Sequence, residues 1–327
     1  MADPVSARSA LELPALGYGA ANVGNLHRAL TDDEAHAVLE AAWDAGIRYF
    51  DTAPHYGLGW SERRLGAFLR TKPRDEFVLS TKAGRLLVPN PGGEGELDLE
   101  NDFHVPAAVR REWDFSPSGI RRSVEASLER MGLDRIDLVY LHDPDRHDLE
   151  RDLASGTEGL DALKSEGILR ASGIGSMSSD ALALAASSGG LDVLMVAGRL
   201  TLLEQPALAD VVPACERTGT GIVTASIFNS GLLATDDPTA NPRYEYGTAP
   251  QEVLDRATRI AGICRAHGVP LPAAALQYTR RIGPVRSVVA GSSRPAQIRQ
   301  NAAWMTLSVP EDLWAELAHE GLIPEGV

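Results

Sequence analysis

The chain has 327 residues, 44% hydrophobic and 23% charged, which is enough to bury a large core and too apolar for a disordered chain. Lys and Arg number 31 against 45 Asp and Glu, and the net charge of −14 argues against a nucleic-acid groove or an anionic membrane surface. No apolar run approaches the ~20 residues of a spanning helix, and the N-terminus lacks a secretory pattern. Cys215 and Cys264 cannot build a disulfide framework or a Cys-based zinc site. A cytoplasmic protein without a metal is expected, acting on a small molecule rather than on nucleic acid or membrane.

In chain order the sequence repeats a short apolar run followed by an amphipathic stretch. Residues 1–14 are expected to be a flexible segment. Ala15–Gly19 reads as a strand, then Thr31–Ala45 as a helix opened by the capping box Thr31-Asp32-Asp33-Glu34. Ile47–Asp51 precedes a helix over Ser61–Arg70, and Phe77–Lys82 precedes a helix over Ser118–Met131. Ile136–His142, Ala171–Gly175, Leu191–Ala197 and Gly221–Ala225 are followed by helices over Thr157–Glu166, Ser178–Ser187, Pro206–Thr218 and Gln251–Ala266 with Pro272–Arg281. Ser287–Gly291 is the eighth strand. Gly46, Gly132, Gly167, Gly219 and Gly268 stand just past helix ends, where a left-handed residue is wanted.

Eight such units leave an open doubly wound sheet or a closed (β/α)8 barrel. Count and length favour the barrel, as a single domain over residues 1–327. Gly17-Tyr18-Gly19 and Gly173-Ile174-Gly175 begin like dinucleotide fingerprints but lack the third glycine. Two stretches, 84–115 and 228–250, do not fit the repeat. Both follow a strand, so both are expected as long loops at the carboxyl face, serving as lids over an active site.

Three successive strands end in titratable side chains: Asp51, Lys82 and His142. In a parallel barrel those ends meet at one rim, and Tyr56 follows on a short Pro- and Gly-bounded loop. A phenol is a poor acid or base at neutrality, and a Lys ammonium ~4 Å away lowers its pKa by up to ~3 units. Asp51 would hold that Lys charged, and a neutral His142 would orient a substrate oxygen. The set contains no nucleophile, so it needs a cofactor that carries hydride. The run Asp143-Pro144-Asp145-Arg146-His147-Asp148 reads as a solvated turn and helix cap rather than a metal cluster.

These residues resemble the aldo-keto reductases, NAD(P)-dependent (β/α)8 barrels. The motifs are Tyr49-Phe50-Asp51-Thr52-Ala53-Pro54-x-Tyr56-Gly57, Ser61-Glu62 with Leu65-Gly66, Ser80-Thr81-Lys82, Asp137-Leu138-x-x-x-His142, and Gly291-Ser292-Ser293-Arg294-Pro295 with Gln297, Gln300 and Asn301. The resemblance implies that Tyr56 is the general acid/base, that Lys82 and Asp51 tune it, and that His142 positions the carbonyl. It implies cofactor contacts from Gly19, Ala20, Asp51, Gly175, Ser176, Ser226, Ile227, Phe228, Gly231, Gly291, Ser293, Arg294, Gln297, Gln300 and Asn301. A substrate pocket is expected from Tyr56, Trp60, His142, Trp113 and Phe228.

Thr81–Leu87 and Gly198–Gln205 resemble a narrower branch that oxidises a hemiacetal carbon to a lactone. It contains aldose 1-dehydrogenases of the fucose and galactose type and pyridoxal dehydrogenases. The chain departs from the common pattern at Gly175-Ser176, where most members carry Ser-Asn, at Ala197 in place of Gln, and at Ala225 in place of the stacking aromatic, for which Phe228 is the substitute. Gly291 and Gln297 stand where other members place cations for a 2′-phosphate, and Asp236 lies where some have a phosphate-binding Lys. NAD is therefore preferred over NADP, with Arg294 and Arg243 the residues able to hold NADP. Two other readings use the same residues: a general NADPH-dependent aldehyde or ketone reductase, and a regulatory subunit that binds the cofactor to sense redox state. Oligomeric state has no signal in the sequence.

Overall fold

A computed structural model describes residues 11–245 and 247–326. Eight strands are all parallel and close into a barrel: β1 (Leu16–Gly19), β2 (Tyr49–Asp51), β3 (Val78–Ala83), β4 (Leu138–His142), β5 (Ala171–Ser176), β6 (Val193–Ala197), β7 (Gly221–Ala225) and β8 (Val285–Ala290). β8 pairs back onto β1 through Leu16 with Val288 and Tyr18 with Ala290. The open-sheet alternative is thereby eliminated. Helices α1 (Asp32–Asp44), α2 (Trp60–Leu69), α3 (Pro117–Met131), α4 (Leu149–Ser165), α5 (Ser179–Ser188), α6 (Val211–Thr218), α7 (Gln251–Ala266), α8 (Leu271–Tyr278), α9 (Pro295–Trp304) and α10 (Glu311–His319) supply the helical partners of the strands.

The alternation of each strand divides its residues between two cores. Phe50, Leu79, Val139, Leu141, Ile174, Leu194, Ile222 and Val288 belong to the main core with the helices. Tyr49, Leu138, Tyr140, Ala171, Val193, Met195, Val223 and Val289 form a second cluster that fills the barrel. Leu11 and Leu13 pack against this inner cluster, and the Pro14 carbonyl accepts a hydrogen bond from Ser287 Oγ at 2.7 Å. Residues 11–14 thus bury apolar surface on the barrel. Residues 1–10 of that segment lie outside the described residues.

Local chemistry accounts for most element ends. The capping box at α1 is formed, with Thr31 Oγ1 accepting from Glu34 N at 3.1 Å and Glu34 Oε2 from Thr31 N at 2.8 Å. The five glycines expected past helix ends all have positive φ. Helix α4 begins well before the expected Thr157. Gly156 and Gly159 mimic breakers in the sequence, but they lie where a β-carbon would press on Leu141 and on Pro117 and Ile120. Residues 206–208 form only a 3-10 turn ahead of α6, and α9 and α10 were not assigned from the sequence.

The stretch 84–115 is not a bare loop. Arg85–Pro89 and Val109–Trp113 pair as an antiparallel hairpin whose ends are joined by turns. In the stretch 228–250, Arg243–Tyr244 pairs with Gly247–Thr248. No helix among the described residues is long and apolar enough to cross a membrane.

Gly66 on α2 faces the Met131 carbonyl at the end of α3, and an added β-carbon would run into that backbone. Gly66→Ala is expected to separate the two helices and to destabilise by about 1–3 kcal/mol. The midpoint of urea unfolding reads this; an unchanged midpoint would show that the contact is soft.

Candidate active site

The inward residues at the carboxyl ends of the strands differ sharply around the rim. β2, β3 and β4 present Asp51, Lys82 and His142. The remaining strands present only Gly19, Gly175, Ala197, Ala225 and, just past β8, Gly291. One half of the mouth is therefore charged and the other is bare.

In the charged half, Lys82 Nζ donates to Asp51 Oδ2 at 2.6 Å and to the Thr52 carbonyl at 3.0 Å. Both side chains are 3% exposed. Asp51 Oδ1 accepts from Ser80 Oγ at 2.7 Å, and Ser80 continues to Tyr49 and Tyr140 through contacts of 3.0 and 3.2 Å. A buried ion pair is tolerated when its remaining polar atoms are satisfied, and these are. Against burial, Asp51 and Tyr56 hold the Lys82 ammonium above its ordinary range, so it stays charged.

Lys82 Nζ lies 4.7 Å from the centroid of the Tyr56 ring. The expectation that Lys82 would draw the phenol below its usual range is not met. Burial pushes Tyr56 up by more than Lys82 pulls it down, and Asp51 adds to the rise. The resting phenol is an acid carrying its proton. Gly57 at φ +59 turns the chain directly after Tyr56, and an added β-carbon there would meet the Gly24 backbone. Gly57 thus fixes the loop that carries the phenol.

His142 lies 5.9 Å from Tyr56, ring centroid to centroid, and 5.4 Å from His55. Its Nδ1 is buried without a hydrogen-bond partner. Burial first, then Arg85 and Lys82, hold His142 well below its usual range, and burial with Arg85 and Arg111 does the same to His55. Both imidazoles are neutral at pH 7. Sequence reasoning did not assign His55 or Arg85 to this site, and it read Asp143 as part of a solvated turn, whereas its side chain is 20% exposed and ion-paired. Arg85 pairs with Asp143 and lies 3.3 Å from His55 Nδ1. The signal was an Arg three residues after Lys82 on the same side of the barrel.

Beyond the bare half opens a cleft of about 360 Å³. Of the residues expected at the cofactor, Ser226, Ile227, Phe228, Gly231 and Gly291 line it. Asn22, Met177, Arg199, Glu204, Arg243 and Tyr244 line it as well. Gly19 and Asp51 are paired on adjacent strands, with Ala20 directly after Gly19. A β-carbon at Gly175 would have only Met195 and Lys82 within 4 Å, so this strand end is open beside the ammonium. Ser176 is turned outward: its Oγ donates to Asp145 at 2.7 Å and accepts from Ser178 N at 2.8 Å. Gln297 Oε1 accepts from Ser292 Oγ at 2.7 Å, Asn301 is buried on α9, and Ser293, Arg294 and Gln300 lie on or just before that helix. Asp236 faces away from the cleft, accepting from Leu271 N at the start of α8.

The segment after β7 holds Ser226, Asn229, Ser230 and Gly231 at positive φ, and Asn229 Oδ1 is buried without a partner. Backbone held this way at a cleft is a mark of a ligand site. The bare strand ends, this strained segment and the orphan amide fit a flat, polar, phosphate-bearing cofactor.

The expected aromatics separate. Phe228 is in the cleft. Trp113 stacks on Phe115 and His147 at 5.9 and 5.7 Å, beneath the Arg85 guanidinium. Trp60 opens α2 and lines an outer groove with Asp32, Asp33 and His36. It does not face the cleft, because the left-handed Gly59 turns the chain onto the outer ring of helices. Among the described residues no group of His, Cys, Asp and Glu is arranged to hold a metal ion.

The neutral histidines have a consequence for stability. Unfolded, they take up protons near pH ~6.5, whereas in the folded chain they do not. Below that pH the unfolded state binds more protons, so stability is complete above ~6.5 and is lost as pH falls through it. The melting temperature is expected to drop between about pH 7.5 and 5.5, and His55→Gln should flatten the slope. An identical slope in that variant would contradict the assignment.

The Aldo/keto reductase family profile matches residues 15–319. The chain is 64% identical to a D-threo-aldose 1-dehydrogenase of Pseudomonas sp. over 323 residues, 98% of each chain. It is 37% identical to a pyridoxal 4-dehydrogenase of Microbacterium luteolum, covering 97% of this chain and 96% of that one. The holo form of an aldo-keto reductase from Bacillus halodurans, 23% identical, superposes with a TM-score of 0.75 over 98% of this chain and 95% of that chain, a likeness of fold. The chain belongs to the Aldo/keto reductase family and is an oxidoreductase that acts on a small molecule with a nicotinamide cofactor.

Proposed function

We propose that this oxidoreductase is an aldose 1-dehydrogenase, oxidising the C1 hemiacetal of an aldose of the fucose, arabinose or galactose type to its lactone. The observation that carries the reading is the juxtaposition of Tyr56, Lys82, Asp51 and His142 on one half of a rim whose other half is bare. The 64% identity to a D-threo-aldose 1-dehydrogenase supports the substrate class.

The residues that would hold the cofactor are the bare strand ends at Gly19, Gly175 and Gly291, the segment from Ser226 to Gly231, and the stretch from Ser293 to Asn301. Bound there, the nicotinamide supplies the acceptor for the hydride leaving C1. Tyr56, after losing its own proton to solvent, takes as phenolate the proton of the C1 hydroxyl, and His142 gives that oxygen a hydrogen-bond partner. Lys82 lowers the cost of phenolate, and Asp51 keeps Lys82 charged and aimed. Because burial keeps the phenol above its usual range, oxidation should accelerate with rising pH. NAD is the preferred form: Arg199 at the cleft wall is already bound to Glu245 at 2.5 Å, which leaves it poorly available to a 2′-phosphate. Two buried free cysteines suit a reducing cytoplasm.

The appearance of reduced nicotinamide with L-fucose, D-arabinose or L-galactose, tested with NAD⁺ and NADP⁺, is the direct assay. Turnover is expected with at least one sugar and higher kcat/KM with NAD⁺; oxidation of none of them would refute the reading. Tyr56→Phe should abolish turnover while cofactor Kd stays within about threefold, since the phenol oxygen acts on the proton alone. A variant that kept most of its rate would remove Tyr56 from the acid/base role.

A further inference from the structure

Beside the acid/base set stands a second polar pair that the hydride and proton steps do not use. Arg85 is the second residue after β3, with a side chain only 6% exposed, and its guanidinium is paired with the Asp143 carboxylate. Arg85 also contacts His55 Nδ1 at 3.3 Å, and Asp143 Oδ2 lies 3.8 Å from His142 Nε2. The pair therefore borders the reacting end of the site.

Three features set it apart from a structural ion pair. Arg85 Nε is buried and has no hydrogen-bond partner, a costly condition for a donor unless something else occupies it. Asp143 follows His142 in a left-handed conformation, φ 48 and ψ 57, and its Oδ1 accepts no hydrogen bond among the described residues. The indole of Trp113 lies 4.5 Å below the guanidinium and continues onto His147. Donors, an acceptor and an aromatic face thus meet within one turn of the reacting residues. A vicinal diol presents the complement, since each hydroxyl donates and accepts while the carbons between them are apolar.

We propose that Arg85 and Asp143 form a clamp that reads hydroxyl groups next to the reacting carbon, with Trp113 as the platform beneath them. The clamp deepens the aldose reading and takes from it only that Tyr56 and His142 mark the reacting end. Substrates with a hydroxyl beside the carbonyl or hemiacetal carbon gain bonds to the free positions of the pair, Arg85 Nε and Asp143 Oδ1, and those with plain alkyl chains leave these positions without a partner, Arg85 Nε in a buried setting. Discrimination of this kind is large because it is set by the unpaired groups.

The test runs in the reductive direction with the reduced cofactor, comparing D-glyceraldehyde with propanal. The two aldehydes differ by two hydroxyls, and the ratio of their kcat/KM values cancels any general effect of a substitution on chemistry. The wild type is expected to favour glyceraldehyde. In Arg85→Met the ratio should fall about tenfold or more, mainly through KM, a loss typical of a charged hydrogen bond. Arg85→Lys, which keeps a cation beside Asp143, should recover part of it, and Asp143→Asn should lower it as well. These last two variants carry the test if Arg85→Met does not fold.

A wild type without preference, or variants that lose both activities in parallel and leave the ratio unmoved, would overturn the clamp. Failure to oxidise any aldose, with the preference for glyceraldehyde intact and lost in the variants, would overturn the proposed function and leave the clamp standing.

Discussion

The ion pair between Lys82 and Asp51 organises the mouth of this barrel. Two charges inside a shell of side chains would be expensive alone, and the cost is offset by Ser80, by the Thr52 carbonyl and by the polar ladder through Tyr49 and Tyr140. Once held there, the ammonium acts on each of its neighbours, alongside a larger effect of burial. Burial first, then Arg85, hold His142 and His55 neutral, and the ammonium adds to that; it also draws down the phenol that burial raises. The same charge lies beside the open strand end at Gly175. The Tyr56 phenol and the open strand end at Gly175 thus both adjoin the Lys82 side chain.

The long insertion after β3 acts as a bracket for this arrangement. Arg111 binds the Asp98 carboxylate at 2.5 and 2.8 Å and donates to the His55 carbonyl at 2.8 Å, fastening the hairpin to the loop that carries Tyr56. Arg85, at the root of the same hairpin, ties His55 to Asp143 on the next strand end. Phe115 closes the far end against Gly84. A segment that reads as a loose lid because of its glycines and prolines is therefore held by buried guanidinium groups, and its aromatic residues are spent largely on packing. Trp113 supports Arg85, and Phe103 packs near Tyr56.

Much of the site was legible because a parallel barrel converts a one-dimensional pattern into a ring. Asp51, Lys82 and His142 each stand at or within one residue of a strand end, and strand ends meet, so their convergence followed from the repeat alone. The bare residues Gly175, Ala197 and Ala225 were visible as departures from a familiar pattern, and in the folded chain they make the open half of the mouth. Arg85, Asp143 and His55 were not legible in the same way. Their roles depend on a hairpin register and on the left-handed turn at Asp143, neither of which leaves a periodic trace. Trp60 stands four residues after Tyr56 in sequence, but it opens α2 and lines the outer groove with Asp32, Asp33 and His36.

The sequence by itself determined the eight-fold alternation, the helix ends marked by Gly and capping residues, and the convergence of Asp51, Lys82 and His142 on one rim, because each is written in local spacing or residue type. Tertiary structure alone decided three things. It set the protonation of Tyr56, since burial outweighed the nearby ammonium. It extended α4 through Gly156 and Gly159, since close packing on Leu141 and Ile120 overrode their weak helical propensity. It also brought Arg85, Asp143 and Trp113 together beside the rim that carries His142. Desolvation and contact depend on everything that surrounds a group in space, and a chain read in order carries that information only after it has folded.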